Sequence, residues 1–223
     1  MNYNIFQEIH NLNTHIRVDE HNNYYFSIRK CGSRTLTTST RLYCNNLKEI
    51  DNITIYVREP YGRFLSGVDT LNSIYTGNIT DLTVFKEHLM NVYNKCLFLD
   101  EHNLIEYLDK HLFIESHTFL QFHWIFQLIL QLKHDTLLTF KDLSDMNKIT
   151  NAHIGVHNNK YQFNDRFKNN AQLKYYMQYD DMIMKYCVNK TVSIQYLFDI
   201  LKRHYFEFYK NELSPVEHFF KHL

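Results

Sequence analysis

Two runs of β-branched and aromatic residues, 24–28 and 53–57, most constrain how this chain can fold. Each run has the composition of a buried strand, and each is followed by a turn and then by a segment that is compatible with a helix. This repeated order predicts neighbouring parallel strands joined by right-handed crossovers. Because ligands bind such sheets beyond the carboxyl ends of the strands, we expect a binding site in the turns after residues 28 and 57.

The turn after the first run combines small residues with a lysine, in the order Lys-Cys-Gly-Ser-Arg-Thr from residue 30. Gly32 allows close approach of the backbone, Lys30 adds a positive charge, and the free N–H groups at a helix start favour an anion. The pattern predicts a phosphate-binding loop. We expect the hydroxyl groups of the threonine-rich segment 35–40 to cap N–H groups or to face the ligand. A Walker-type triphosphate loop is disfavoured, because it needs a second glycine with a lysine directly after it.

The second run ends in Arg58, and Ser66 follows eight residues later in a segment that we predict to be helical. An arginine at a strand end and a serine at a helix start can converge on one anion. The alternative interpretation is structural: Arg58 then pairs with Glu59 or another carboxylate, and Ser66 is a small packing residue.

The composition predicts a globular protein whose overall electrostatic field is weak. The 223 residues include 44% hydrophobic and 16% aromatic residues, and 24 Lys and Arg balance 24 Asp and Glu. This balance gives no general attraction to nucleic acid or to an anionic membrane. Four scattered cysteines indicate neither a disulfide framework nor a zinc knuckle. Without a signal-like start or an apolar run of about 20 residues, we expect a soluble cytoplasmic protein.

The length and the absence of linkers or repeats predict one domain, residues 1–223, with C-terminal helices over about 171–211. The expected elements outside the two runs comprise helices over 3–17, 81–96 and 102–111, a helix or strand within 113–132, a strand over 135–140, a mobile loop over 151–171, and helices over 171–187 and 193–211. Trp124 and its aromatic neighbours are spaced for a helix core rather than for base stacking.

Three segments together resemble the sulfotransferases that use 3′-phosphoadenosine 5′-phosphosulfate, and the carbohydrate sulfotransferases most closely. Residues 30–35 are similar to the 5′-phosphosulfate loop of that family, and residues 57–67, Val-Arg-Glu-Pro-Tyr-Gly-Arg-Phe-Leu-Ser-Gly, are similar to its 3′-phosphate motif. Residues 115–121, Glu-Ser-His-Thr-Phe-Leu-Gln, resemble its acidic, histidine and glutamine pattern, with Leu120 where a proline is usual. The similarity covers roughly residues 24–143, which it implies to be the nucleotide-binding core of a single sulfotransferase-like domain.

The resemblance implies an α/β fold with a three-layer parallel sheet flanked by helices, of the P-loop nucleotide-hydrolase-like sulfotransferase type. It implies 3′-phosphoadenosine 5′-phosphosulfate as donor, adenosine 3′,5′-bisphosphate as product and a glycan or another hydroxyl-bearing acceptor, without a metal ion, a nucleic acid or a membrane span. Arg58 and Ser66 would hold the 3′-phosphate. The 5′-phosphosulfate would be held by Lys30, Cys31, Gly32, Ser33, Arg34 and Thr35.

Transfer to a hydroxyl group also needs a base, and a histidine is the usual choice. The resemblance points to His117, which follows a predicted strand end, with Glu115 as the second choice. A histidine that is merely hydrogen-bonded at a helix start is the alternative.

Other functions remain open at the level of sequence. A small nucleotide or nucleoside kinase would need a magnesium-binding carboxylate and a Walker lysine, and a non-catalytic nucleotide-binding protein would keep the loop without an acceptor site. The pairs His153/His157 and His218/His222 have the one-turn spacing of zinc ligands, but they lack a neighbouring glutamate and are interpreted as surface histidines.

Overall fold

The computed structural model describes residues 12–43, 45–75, 112, 117–150 and 164–208. These residues form a six-stranded sheet with the order β3-β1-β2-β4-β5-β6. The strands are β1 (Ile16–Val18), β2 (Tyr24–Phe26), β3 (Arg41–Leu42), β4 (Asn52–Val57), β5 (Leu137–Asp142) and β6 (Lys190–Ser193).

Helices surround this sheet. The α-helices are α1 (Ser33–Ser39), α2 (Pro60–Tyr75), α3 (Gln121–Ile129), α4 (Leu143–Thr150), α5 (Asn164–Phe167), α6 (Ala171–Tyr186) and α7 (Ile194–Phe208). Two short 3₁₀ helices span Leu12–His15 and Leu47–Glu49. Within the described residues, no helix is long and apolar enough to cross a membrane.

The centre of the sheet is parallel and its edges are antiparallel. β2 pairs in parallel with β4, and β4 in parallel with β5, whereas β1 pairs antiparallel with β2 and β3, and β6 antiparallel with β5. The prediction of a parallel sheet is therefore correct for the three central strands and wrong for the edges. A turn causes the change at one edge, because the Asp19 carboxylate accepts hydrogen bonds from the N–H groups of His21 and Asn23 and closes a β1–β2 hairpin.

Alternation along β4 assigns the helices to two faces of the sheet. Ile53, Ile55 and Val57 belong to the main core, which also contains apolar residues of α2, α3, α6 and α7. Tyr56 points to the other face and packs with Leu36 of α1 and Met146 of α4. The sheet thus has a large core on one side and a small apolar cluster on the other.

The predictions of the strands at 24–28, 53–57 and 135–140 and of the helix at 171–187 are confirmed, and the helix predicted at 193–211 is confirmed as far as residue 208. Three short strands were not predicted, and β1 occupies positions that had been assigned to an N-terminal helix. The predicted helices at 81–96 and 102–111 lie outside the described residues, as do most of 3–17 and residues 151–163 of the predicted mobile loop. Trp124 is fully buried in the main core, as expected.

Gly67 allows helix α2 to approach the segment that carries His117. A Cβ atom at Gly67 would overlap the carbonyl oxygen of His117 and crowd the N atom of Thr118. The obstacle is backbone rather than the end of a flexible side chain. A side chain at this position would therefore push the segment away from the helix.

Gly67→Ala tests this close approach, because helix propensity and overpacking change the free energy of unfolding in opposite directions. Helix propensity alone favours alanine by about 1 kcal/mol. Overpacking against fixed backbone instead costs roughly 1–3 kcal/mol, so we expect the free energy of unfolding to fall. Urea denaturation of the variant and the wild type measures the difference, and a more stable variant would contradict the contact between α2 and residues 117–118.

Candidate functional site

Two loops and the start of helix α4 meet at the carboxyl edge of the parallel strands. The register pairs Phe26 with Ile55 and Val57 with Asp142, so the chain leaves β2, β4 and β5 at the same edge of the sheet. The Lys30 loop follows β2, Arg58 follows β4, and α4 follows β5 directly. The expectation that the Lys30 loop and Arg58 lie at neighbouring strand ends is confirmed.

The Lys30 loop contains two residues in the left-handed region of φ, Lys30 at 67° and Gly32 at 75°. Such a conformation is uncommon for lysine and costs of the order of 1 kcal/mol. The left-handed φ favours glycine at residue 32. A Cβ atom there would also lie 2.7 Å from the side-chain ends of Leu143 and Met146, which would have to shift. The loop is therefore a defined, close-packed turn.

The side chain of Lys30 is directed at helix α2. Its Nζ atom donates to the hydroxyl group of Thr70, which in turn donates to the carbonyl oxygen of Ser66 over 3.0 Å. Burial raises the pKa of the nearby Asp69 carboxyl group, and the positive charge of Lys30 acts in the opposite direction. The Lys30 side chain thus contacts the face of α2 on which Ser66 and Thr70 lie, about one helical turn apart.

Gln121 joins the two loops through its side-chain amide. The Oε1 atom accepts a hydrogen bond from the backbone N–H of Arg58 over 2.8 Å and another from the Cys31 thiol over 3.1 Å. The Nε2 atom donates to the carbonyl oxygen of Arg58 over 2.8 Å. Arg58 and Cys31 are therefore fixed to the same buried group.

Cys31 contributes to the core rather than to an open binding surface. Its side chain is fully buried, and this burial raises the pKa of the thiol to about 11, although Arg63 and Arg58 act in the opposite direction. The group is thus a neutral thiol that donates to Gln121. The backbone N–H of Cys31 is engaged as well, because it donates to the carbonyl oxygen of Ile28 over 3.1 Å.

The start of helix α2 is capped from within. The carboxylate of Glu59 accepts hydrogen bonds from the N–H groups of Tyr61 over 2.8 Å and Gly62 over 2.6 Å. A carboxylate at this end is favoured by the helix dipole. These N–H groups are thereby already engaged, so a ligand near Arg58 would meet side chains rather than an open helix start.

The threonine-rich helix α1 differs from the prediction. Hydroxyl groups of Thr37, Thr38, Ser39 and Thr40 donate to helix carbonyl groups three or four residues earlier, and neither cap N–H groups nor project as a ligand-facing row. The helix begins at Ser33 and ends at Ser39. Ser33 and Thr35 lie in its first turn after the loop, as does the backbone of Arg34, whose side chain lies outside the described residues.

His117 lies at the site and contacts Arg29 of the Lys30 loop. Arg29 Nη1 is 3.0 Å from His117 Nε2. Because a guanidinium group can only donate, the Nε2 atom must accept, and the ring is then neutral with its proton on Nδ1. Glu115, the second candidate base, lies outside the described residues.

Sequence reasoning missed a buried polar network behind the loops. The Asp180 carboxylate of α6 accepts hydrogen bonds from the N–H groups of Gln121 over 2.8 Å and Phe122 over 2.7 Å, at the first turn of α3. Arg63 of α2, which is 1% exposed, donates through Nη1 to the carbonyl oxygen of Phe119, while its Nε and Nη2 atoms have no hydrogen-bond partner among the described residues. Asp180 stands on the apolar stripe of α6, and a carboxylate in that position is the signal that could have revealed the network.

A separate cavity of about 360 Å³ lies on the opposite face of the sheet, beside β5 and β6. Its lining includes the threonines Thr139 and Thr191, whose hydroxyl groups are 2.9 Å apart, and Lys141, Asp145 and Lys190. Thr139 and Lys141 point away from the face that carries α2. The cavity is therefore not part of the Lys30 site.

Metal ligands do not cluster in the described part of the chain, where no group of three or more His, Cys, Asp or Glu side chains could hold an ion. Both one-turn histidine pairs lie outside that part. Comparison with known proteins found no matching family model, no matching curated protein and no matching solved structure.

The titration of Asp180 gives a prediction for stability. Burial raises its pKa to about 6, although Arg63 and the N–H groups of α3 act in the opposite direction. The folded protein then binds this proton more tightly than the unfolded chain, whose carboxyl group titrates near 3.9. Stability should therefore fall as the pH rises from about 4 to about 6, by roughly 2–3 kcal/mol, and change little above that range.

The difference in unfolding free energy between the wild type and Asp180→Asn isolates this effect, because the other carboxyl groups contribute equally to the pH dependence of both proteins. The wild type should lose stability relative to the variant across that range of pH. Asp199→Asn, at an exposed carboxylate of α7, is the control for the loss of a carboxyl group. A flat difference for Asp180→Asn would contradict a raised pKa.

Proposed function

We propose that the protein is a sulfotransferase that moves a sulfuryl group from 3′-phosphoadenosine 5′-phosphosulfate to a hydroxyl group of a carbohydrate. One observation carries the proposal: the Lys30 loop and Arg58 follow neighbouring strands and share Gln121, and Lys30 contacts the face of helix α2 that carries Ser66. Two cationic side chains at adjacent strand ends suit a donor with a phosphate at each end of its ribose. The similarity of residues 30–35 and 57–67 to the two phosphate motifs of the family supports the same interpretation.

The Lys30 loop would bind the 5′-phosphosulfate. Lys30 is at present bonded to a neutral hydroxyl group, that of Thr70, which an anionic oxygen of the donor can replace with a stronger charge-assisted bond. The N–H groups of Gly32, Ser33, Arg34 and Thr35 would complete the cradle. The left-handed conformation of Lys30 would then be part of the binding geometry.

The 3′-phosphate would be bound by Arg58 and Ser66. Because Glu59 already occupies N–H groups at the start of α2, recognition there depends on side chains. A guanidinium group can give a phosphate two parallel hydrogen bonds, which also fixes its orientation.

In the proposed reaction the acceptor oxygen attacks the sulfur atom in line with the bond that breaks. A new S–O bond forms, the S–O bond to the 5′-phosphate breaks, and its electron pair stays on the bridging oxygen of adenosine 3′,5′-bisphosphate. Lys30 would stabilise the charge that develops on that oxygen, so catalysis depends on positioning and electrostatics. No metal ion takes part in this scheme.

The acceptor proton would pass to His117. Its Nε2 lone pair is occupied by an N–H of Arg29, so this role requires the contact to open. An anionic donor beside Arg29 offers the guanidinium group a stronger partner than a neutral imidazole. Donor binding would thus free the base at the time it is needed.

The proposal extends to the fold. Three parallel central strands with helices on both faces are what supports a sulfotransferase fold of the P-loop nucleotide-hydrolase-like type.

Ligand stabilisation tests the donor. Adenosine 3′,5′-bisphosphate at ~100 times its dissociation constant should add about 2.7 kcal/mol to the free energy of unfolding. For a chain of this size, that corresponds to a rise in melting temperature of roughly 5–10 °C. Stabilisation by magnesium ATP alone would favour a kinase and sink the proposal, as would stabilisation by neither nucleotide.

The same titration with Arg58→Ala is expected to give about 10- to 100-fold weaker binding of the bisphosphate, because a hydrogen bond to a charged group is lost. Arg41→Ala is the matched control: Arg41 is exposed on β3, three strands away from β4. Equal affinities in the two variants would remove Arg58 from the 3′-phosphate site.

Lys30→Ala separates binding from transfer. We expect transfer of labelled sulfate to a panel of oligosaccharides to fall at least 100-fold, since a donor to the leaving oxygen is lost. Bisphosphate affinity should fall much less, because the product lacks the bond that breaks. Lys202→Ala, at an exposed lysine of α7, is the control and should keep both the rate of transfer and the bisphosphate affinity. Full transfer by Lys30→Ala would refute the role assigned to Lys30.

A further inference from the structure

We propose that Gln121 is a positioning residue that holds the Lys30 loop and Arg58 in register, with Asp180 as its anchor. The inference rests on the proposed function, because the two loops are the two ends of the proposed donor site. It adds a residue on α3 and a residue on α6 to a site that the phosphate motifs place on β2, β4 and α2.

The bonding pattern of Gln121 is that of an added strand residue. Its amide accepts from the N–H of Arg58 and donates to the carbonyl group of the same residue, each over 2.8 Å. β4 ends at Val57, so Arg58 lies directly beyond the last paired residue of the strand. The side chain thereby fixes the backbone from which the proposed phosphate-binding arginine projects.

The same amide reaches the other loop. Its Oε1 atom also accepts the Cys31 thiol proton over 3.1 Å, and Cys31 lies between the two left-handed residues Lys30 and Gly32. A shift of Gln121 would therefore move both loops relative to each other. Misplacement by about 1 Å is enough to reduce transfer about 100-fold.

Asp180 fixes the position of Gln121 along the sheet edge. Its two carboxylate oxygens bind the N–H groups of the first two residues of α3, where the helix dipole favours a negative charge. Asp180 is buried in the middle of α6, a helix of 16 residues. The loops are thus connected to a long packed helix rather than to another loop.

Gln121→Met tests the inference, because methionine fills a similar volume and makes none of the three side-chain hydrogen bonds. We expect bisphosphate to bind about 10- to 100-fold more weakly, measured at a temperature where the variant is fully folded. Gln127→Met is the matched control, at a buried glutamine almost two turns further along α3. It should keep the affinity within about threefold, even if its melting temperature falls.

Gln121→Glu adds a second measurement, the pH dependence of bisphosphate affinity, which a purely structural role of Gln121 would leave unchanged. A protonated carboxyl group can still donate to the carbonyl oxygen of Arg58, whereas an ionised one can only accept. Affinity relative to the wild type at the same pH should be nearly normal near pH 5 and reduced at least tenfold near pH 8. This variant keeps the test valid if Gln121→Met fails to fold.

The outcomes separate the two proposals. Wild-type protein that binds no bisphosphate overturns the proposed function, and the inference with it. Wild-type protein that binds, together with Gln121 variants of unchanged affinity and pH dependence, overturns the positioning role alone. Weaker binding by Gln121→Met, with recovery of Gln121→Glu at low pH, supports it.

Discussion

The buried carboxylate of Asp180 holds the start of α3, and through Gln121 it fixes the loops at the carboxyl edge of the sheet. Burial disfavours its charge, and this cost is offset by two N–H groups at the start of α3 and by the nearby cation of Arg63. Removal of one partner would leave the others buried without compensation. Helices α2, α3 and α6 are therefore joined by polar contacts behind the loops, in addition to their apolar packing.

This polar network and the packing around it fix the backbone of the loops that form the candidate site. The Lys30 turn is held by Gln121 on one side and by α4 against Gly32 on the other, and residues 117–118 are pressed against Gly67. A site built in this way loses little conformational entropy when a ligand binds, because its backbone is already ordered. What remains to move is at the ends of side chains, chiefly Lys30, whose Nζ atom donates to the Thr70 hydroxyl group, and Arg29, which donates to His117.

Much of the sheet and part of the site follow from local sequence. The runs at 24–28 and 53–57 carry enough β-branched and aromatic residues to identify strands, and their turns locate Lys30 and Arg58 at one edge. The short strands β1, β3 and β6 have two to four residues and no readable period. The role of Asp180 depends on a contact with α3 that is 58 or 59 residues away in sequence, and no local pattern specifies such a pairing.

Glu59 shows how one side chain determines what kind of anion site this edge can be. A helix start binds phosphate through free N–H groups, and such a site recognises charge more than shape. With the Glu59 carboxylate on the N–H groups of Tyr61 and Gly62, another anion near them would meet like charge. In the proposed site, recognition of the 3′-phosphate beside β4 would then depend on the side chains of Arg58 and Ser66. A site of this kind selects the position of a phosphate group on the ligand, whereas an open helix start would accept any small anion of suitable charge.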